Sequence, residues 1–352
     1  MKLAVAAKGY IPEFREQLLA WFDANARDLP WRRKGGPYSI WVSEIMLQQT
    51  RVAAVLDHYA NFMTLFPSIV SLALAREDEV LAAWSGLGYY RRAKLLHRAA
   101  QFVVREHQGS LPRTADDLRK MPGVGEYTAA AIASIAFGEP VAVIDGNVQR
   151  VIRRIFHPPN DLEAQNAPTA QWIRRHADAL LDRERPGDFN QSMMELGATV
   201  CFPKNPLCLS CPVQKFCITR GEHAVEPRKP MRSRQIAYAL MVRGGTAGRQ
   251  ILLEQRPESV SLMPGMWELP EITMAETDQN RVELTLRHSI TVTNYYVRVL
   301  RLPQKLGRRR LAATASTRKW VKASELAHLP LTGLTRKILK RLQIMLVARV
   351  SV

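Results

Sequence analysis

Apolar residues return at helical spacing from Pro12 to Ala26, where Phe14, Leu18, Trp21 and Phe22 share one side. Arg27-Asp28-Leu29-Pro30-Trp31-Arg32 interrupts that pattern, and Pro37 keeps the break from continuing as helix. A second helix is predicted from Ser39 through Trp41, Glu44, Ile45 and Leu47 into Gln48-Gln49-Thr50, and a third from Arg51 to about Phe66. Farther on, two helical runs meet at Pro122-Gly123-Val124-Gly125, within the stretch Leu118 to Arg150. Glycine permits positive φ, so helices can fold back on each other inside four residues. Asp145-Gly146-Asn147 then opens a helix whose apolar face is Val148, Val151, Ile152 and Ile155. Further helices are predicted over Pro168–Leu181 and Pro186–Val200.

The period changes after the polar, basic stretch Val225 to Arg234, which has the composition of a linker. Ile236 to Arg243 alternates as a strand, Gly244-Gly245 turns, and Ile251 to Arg256 returns as a second strand. Thr291–Leu302 and Lys319–Val321 are predicted as further strands, and Leu334–Val347 as a closing helix. The pattern thus divides the chain into an all-α part over residues 1–225, a linker over 226–235 and a smaller α+β part over 236–352.

A length of 352 residues supports two cores. The net charge of +18 is spread through both halves, which points to an anionic partner. No apolar run approaches a membrane span, so nucleic acid is preferred over a lipid surface. MKLAVAAKGY has too short an apolar core for a secretory signal. All four cysteines lie between Cys201 and Cys217, as expected of a cytoplasmic chain without structural disulfides.

Several positions carry chemistry. Gly123 and Gly125 leave backbone N–H groups free at a helix start, where a DNA phosphate can sit. An αα-hairpin with an ordinary turn explains the same residues. Asp145 is either a helix N-cap or a carboxylate near that phosphate grip. Glu44 stands in an apolar run, where burial would raise its pKa and keep it protonated as a general acid requires; an exposed helix-face Glu is the alternative. Gly86-Leu87-Gly88-Tyr89-Tyr90-Arg91-Arg92 can place a ring between bases while its arginines hold phosphates, or can be a helix end followed by a solvated basic helix. Cys201, Cys208, Cys211 and Cys217 could bind zinc or a four-iron four-sulfur cluster, and one Cys-x-x-Cys elbow rather than two favours the cluster.

Taken in order, WVSEIMLQQT, GLGYYRR, MPGVGEYTA, IDGNV, FNQSMMELG and the x6-x2-x5 cysteine spacing resemble the MutY family of adenine DNA glycosylases over nearly the whole chain. The resemblance implies a helix-hairpin-helix over 118–137, an iron–sulfur loop over 201–217 holding one cluster through the four cysteines, and a Nudix (MutT)-like lesion-recognition domain over 236–352. LLEQRPESVSLMPGMWELP resembles a Nudix opening, but no acidic Mg²⁺-binding helix follows, which implies a binding module. It assigns Glu44 to protonating adenine and Asp145 to stabilising the oxocarbenium-like sugar, with Tyr127 beside them. Relatives with lyase activity carry Lys at the position of Tyr127, so a monofunctional glycosylase is implied.

Arg27, Trp31, Arg32, Leu47 and Gln191 fall where the family lines the adenine pocket. Gln48, Thr50, Leu87 and Tyr89 fall where it wedges into the duplex and contacts the opposite 8-oxoguanine. The implied substrate is double-stranded DNA with adenine opposite 8-oxoguanine or guanine, bound by a nucleoid-associated monomer. A mismatch glycosylase acting on thymine or another base is the competing function. One departure stands out: Ile290-Thr291-Val292 replaces the family's Phe-Ser-His lesion reader, leaving Thr291 to offer a hydroxyl.

Overall fold

The computed structural model describes residues 3–33, 36–157, 169–223, 230–245, 248–273, 280–305, 311 and 317–345. The start at Pro168, residues 225–229 of the linker stretch and the end at Val347 lie outside the described residues. The chain forms two compact units. One comprises Met1–Met63, Ser68–Ala73 and Arg98–Glu226; the other comprises Thr64–Pro67, Leu74–His97 and Pro227–Val352.

The first unit is helical. α1 (Leu3–Asn25) begins N-terminal to Pro12, which it carries inside. α2 (Gly36–Leu47) is buried nearly all round, through Trp41, Val42, Ile45 and Met46. A helix apolar on every side belongs in a core, and α2 takes Glu44 there with it. Gln49, at φ 57°, ends it, and α3 (Val52–Leu65) follows. The last helix before the glycine turn, α7 (Ala115–Leu118), meets α8 (Glu126–Phe137) across that turn. Gly123 has φ 76°, a conformation that a side chain would strain, while Gly125 caps α8 in extended backbone.

α9 (Gly146–Phe156), α10 (Ala170–Leu180) and α11 (Pro186–Thr199) complete the unit. Phe14, Leu18, Ile152, Ile155, Ile173, Phe189, Met193, Leu196 and Phe216 form its main core. α11 lies very close to its neighbours. A Cβ on Gly187 would meet the Ser134 carbonyl at 2.7 Å, and one on Gly197 would meet the Asn147 Cβ at 2.5 Å. No described helix is long and apolar enough to cross a membrane.

α4 (Ile69–Leu74), nearly all of it in the first unit, leads into α5 (Glu77–Trp84) of the second, and α6 (Arg91–His107), assigned to the second unit as far as His97, begins after the Gly86–Tyr90 turn. The C-terminal part builds two sheets. β1 (Arg232–Leu240) pairs parallel with β7 (Thr293–Arg301), flanked by β5 (Glu271–Ile272) and β6 (Val282–Ile290) in the order β5-β1-β7-β6. β2 (Val242–Arg243), β3 (Gln250–Gln255), β4 (Trp267–Glu268) and β8 (Arg318–Lys322) form the other. α12 (Gly333–Arg341) packs through Leu334, Ile338 and Leu339 into the core with Leu253, Val297 and Val299.

Three sequence expectations change. The single strand Ile236–Arg243 is two, because the chain leaves one sheet and enters the other at buried Met241. β1 starts at Arg232, inside the stretch whose composition suggests a linker. β6 was not predicted: it is an edge strand with alternating exposure, and only Leu286 is fully buried along it.

Candidate active site

Glu44 leaves α2 with only 6% of its surface exposed. The Tyr127 hydroxyl donates to its Oε2 at 2.8 Å, and the same hydroxyl lies 3.6 Å from Met194 Sδ. Burial is the largest influence on this carboxyl and pushes its pKa up to about 7; the charge of Asp145 adds to the rise, while Tyr127 and Arg32 oppose it. Tyr127 is itself held well above the ordinary phenol range by burial and by the charges of Glu44 and Asp145. It is therefore a proton-bearing donor at any working pH.

Asp145 is the N-cap of α9. Its Oδ1 accepts from the Val148 N–H at 2.7 Å and its Oδ2 from the Asn147 amide at 2.9 Å. Burial raises its pKa, while these donors and the Arg150 charge pull the other way. Capping and facing the site are thus compatible, because a carboxylate has lone pairs for both. The loop before it is fixed by buried Asn190, which accepts from the Val143 N–H at 3.0 Å and donates to the Val141 carbonyl at 2.9 Å.

A third carboxylate, Glu195, is not among the residues expected from the sequence. Glu195 is buried on α11 and takes Arg27 Nε at 2.6 Å on Oε1, with Arg27 Nη2 and Arg32 Nη2 at 2.8 Å each on Oε2. Burial alone would raise its pKa, but the two guanidinium groups reverse this and hold it at about 2. Arg32 also donates to Gln191 Oε1 at 3.1 Å and to the Arg27 carbonyl at 3.1 Å. The i,i+4 spacing of Gln191 and Glu195 on one helix was the available signal. Removing Glu195 strands two partly buried cations. Glu195→Ala is expected to lower unfolding free energy by about 3 kcal/mol, measured by urea titration; a loss below about 1 kcal/mol would show the cations re-solvate freely.

The other positions divide by unit. Trp31 is buried edge-on against the Tyr59 ring at 5.3 Å, and Leu47 is half-buried at the end of α2. Gln48 donates to Thr128 Oγ1 at 3.0 Å, and Thr50 donates to the Gln48 carbonyl at 3.3 Å. Gly123 and Gly125 are exposed at the hairpin. Leu87, Tyr89 and Thr291 belong to the second unit. Leu87 is buried, so at that turn Tyr89, at 47% exposure, is the side chain presented to solvent. Thr291 occupies the β6–β7 turn at φ 50°, a strained conformation for a β-branched residue, with its hydroxyl donating to the Ile290 carbonyl at 2.8 Å.

The four cysteines are unpaired and half-buried. Arg150 donates to the Cys201 carbonyl at 2.8 Å, and Arg154 to Cys201 Sγ at 3.3 Å and to the Phe202 and Pro203 carbonyls at 2.6 and 2.9 Å. α9 therefore carries both Asp145 and the cations that hold the cysteine loop. Burial raises Cys211 most, and the charges of Cys201, Cys217 and Cys208 raise it further, so the four thiols share one neighbourhood. Among the described residues no three His, Cys, Asp or Glu side chains are gathered closely enough to hold a single metal ion. Four thiols gathered on one loop beside Arg150 and Arg154 form a donor set of the kind that holds a thiolate-bound metal or cluster.

A family model described as HhH-GPD superfamily base excision DNA repair protein matches residues 42–175, a span that holds Glu44, Tyr127 and Asp145. The human adenine DNA glycosylase is 40% identical over 325 residues, covering 76% of this chain and 59% of the relative. The chain therefore spans about three fifths of that protein's length. A solved thermostable thymine-DNA glycosylase superposes with a TM-score of 0.54 at 29% identity, covering 60% of this chain and 97% of that one. The adenine DNA glycosylase of Mycobacterium tuberculosis is 43% identical over 214 residues, covering 60% of this chain and 68% of its own length. Because that match takes in more than two thirds of the relative at 43% identity, the chain belongs to the adenine DNA glycosylase family.

Proposed function

We propose that this protein is a monofunctional DNA glycosylase that flips adenine out of pairs with 8-oxoguanine or guanine and cleaves its N-glycosidic bond. The observation that carries this reading is the pair of unlike carboxyl groups. Glu44 is buried, with a pKa of about 7, and Asp145 is held by hydrogen bonds to Val148 and Asn147. Adenine leaves poorly as an anion. Protonation of a ring nitrogen by Glu44 makes it a neutral leaving group, and the Tyr127 hydroxyl keeps the donor oriented. The sugar left behind is cationic, and Asp145 supplies the opposing charge. Dividing acid and electrostatic roles between two carboxyls in different surroundings is also how retaining glycosidases work. Tyr127 offers no amine, so no Schiff base with the sugar forms there and the strand stays uncut.

The cluster Arg27, Arg32, Gln191 and Glu195 gives the pocket a fixed wall of donors for the flipped base. Flipping costs a few kcal/mol and is cheapest at a mispair. Exposed Gly123 and Gly125 hold the DNA backbone. Thr291 at the strained turn reads the opposite base by exchanging its bond to the Ile290 carbonyl for one to the lesion. The deciding experiment is single-turnover excision from duplexes carrying adenine opposite 8-oxoguanine, adenine opposite guanine and thymine opposite guanine. Adenine release without strand cleavage is expected, with Thr291→Ala lowering the preference for 8-oxoguanine by about 1–3 kcal/mol. Release of thymine and not adenine would overturn the reading.

Cys201, Cys208, Cys211 and Cys217 fit one four-iron four-sulfur cluster (4Fe–4S), which supplies a structural cross-link when bound. It staples a loop carrying Lys204 and Lys215 in place beside α9. Metal analysis of the purified protein should give about four iron per chain, and Cys211→Ser should lose iron and DNA affinity together. One zinc per chain and no iron would refute this.

A further inference from the structure

The turn Gly86-Leu87-Gly88-Tyr89 is held at both ends by residues far away in sequence. Ser85, which precedes it, is 3% exposed and donates to the Leu331 carbonyl at 2.7 Å. Tyr90, which follows it, is 5% exposed; its hydroxyl donates to the same carbonyl at 3.1 Å and accepts from the Gly86 N–H at 3.3 Å. Arg336 on α12 donates through Nε to Ser85 Oγ at 2.8 Å. Its Nη2 is buried without a partner. A guanidinium held out of water with one nitrogen unsatisfied is costly, so its bond to Ser85 is a specific attachment rather than a solvated surface contact.

The turn itself needs such support. Gly86, Gly88 and Tyr89 all have positive φ, at 115°, 72° and 48°. The last of these is unfavourable for a tyrosine. Inside the turn, Arg92 donates to the Gly88 carbonyl at 3.2 Å and lies 5.5 Å from the Tyr89 ring centre, and Trp84 Nε1 donates to that carbonyl at 3.2 Å. Local bonds therefore shape the turn, and the bonds to residues 331 and 336 fix it to α12 and the strand-bearing part of the same unit.

We propose that Ser85, Tyr90 and Arg336 form a tether through which the C-terminal part of the chain positions Tyr89 for reading the base pair, so that Ser85 and Arg336 are specificity-determining positioning residues. This rests on the glycosylase reading above for the role of Tyr89, whereas the tether can be tested without it. The relevant proteins are the full chain, Ser85→Ala, Ser85→Thr, Arg336→Met and the Ser85→Ala/Arg336→Met double variant.

Amide hydrogen exchange should quicken at residues 86–89 by about fivefold or more in both Ser85→Ala and Arg336→Met, while α8 amides keep their native rates. Ser85→Thr should restore protection, and the double variant should be no looser than Ser85→Ala alone, because that change already removes the connection to Arg336. In single-turnover excision, the rate ratio between duplexes with 8-oxoguanine and with guanine opposite adenine should fall by a similar factor. Unchanged exchange at 86–89 in the folded variants would overturn the tether. Faster exchange with an unchanged rate ratio would overturn its role in specificity. An intact chain that excises no adenine, with exchange behaving as expected, would instead refute the glycosylase reading and leave the tether standing.

Discussion

Glu44→Gln is expected to slow single-turnover adenine excision by about 10²–10⁴ while leaving affinity for the mispaired duplex near native. Glutamine keeps the shape of the side chain and can still accept from the Tyr127 hydroxyl, which stands 2.8 Å from Oε2. It has no acidic proton to give to the leaving base. A variant that excises adenine at near-native rate would end the assignment of Glu44 as the acid.

The same substitution has a signature in stability. Burial raises the Glu44 carboxyl from the ordinary 4.5 to about 7. Below pH 4.5 the group is neutral in both folded and unfolded chains. Between 4.5 and about 7 the folded protein retains a proton that the unfolded chain has lost, so stability falls as pH rises through this window. The full difference is roughly 3 kcal/mol above the window. Glutamine has no such titration. Relative to native, Glu44→Gln should therefore gain stability between pH 4.5 and pH 8, read from urea titrations at both. Equal stability differences at the two pH values would mean that the carboxyl ionises freely in the folded protein. The excision rate of the native enzyme should fall as pH rises through about 7, as the acid form is lost.

Much of this site was legible in the sequence because its signals are local. One acid in an otherwise apolar helical run is either carried into the core or left on an exposed face, and Glu44 is carried in. An Asp before Gly-Asn at the start of an amphipathic helix caps it, and Asp145 does. Glu195 was scarcely legible, since its partners Arg27 and Arg32 lie more than 160 residues away and its one local signal, the i,i+4 spacing from Gln191, is also common on exposed helix faces. The anchoring of Ser85 and Tyr90 failed for the same reason, their acceptor being the backbone carbonyl of Leu331, which has no side-chain signature at all. In the sheets, Val282, Leu284, Leu286 and Ile290 alternate with polar residues, a strand signal for β6 that the sequence does carry, whereas the switch at Met241 happens within one uninterrupted alternation. Alternation shows that a segment is a strand; it cannot show which sheet receives it.

Asp145→Asn separates the catalytic role of this residue from its structural one. As an N-cap, asparagine is about as good as aspartate, so the bond now made by the Val148 N–H at 2.7 Å can persist and α9 should stay formed. The second oxygen differs more. Asp145 Oδ2 accepts from the Asn147 amide at 2.9 Å, and an asparagine that caps through its oxygen turns its own NH₂ toward that donor. The clash moves Asn147, whose Cβ sits within 2.5 Å of where a side chain on Gly197 would begin, so there is little space for adjustment. A modest loss of about 1 kcal/mol in unfolding free energy is expected from this contact. The loss of activity should be far larger, about 10²-fold or more, because the neutral amide no longer opposes the charge growing on the sugar. Removing that charge also lowers the Glu44 pKa, since Asp145 is one of the influences that raise it. Whatever excision remains should therefore fall off at a lower pH than in the native protein. Single-turnover excision from pH 5 to 9, beside urea unfolding of the same samples, tests both effects. Native excision rates with a markedly destabilised fold would make Asp145 a cap and nothing more.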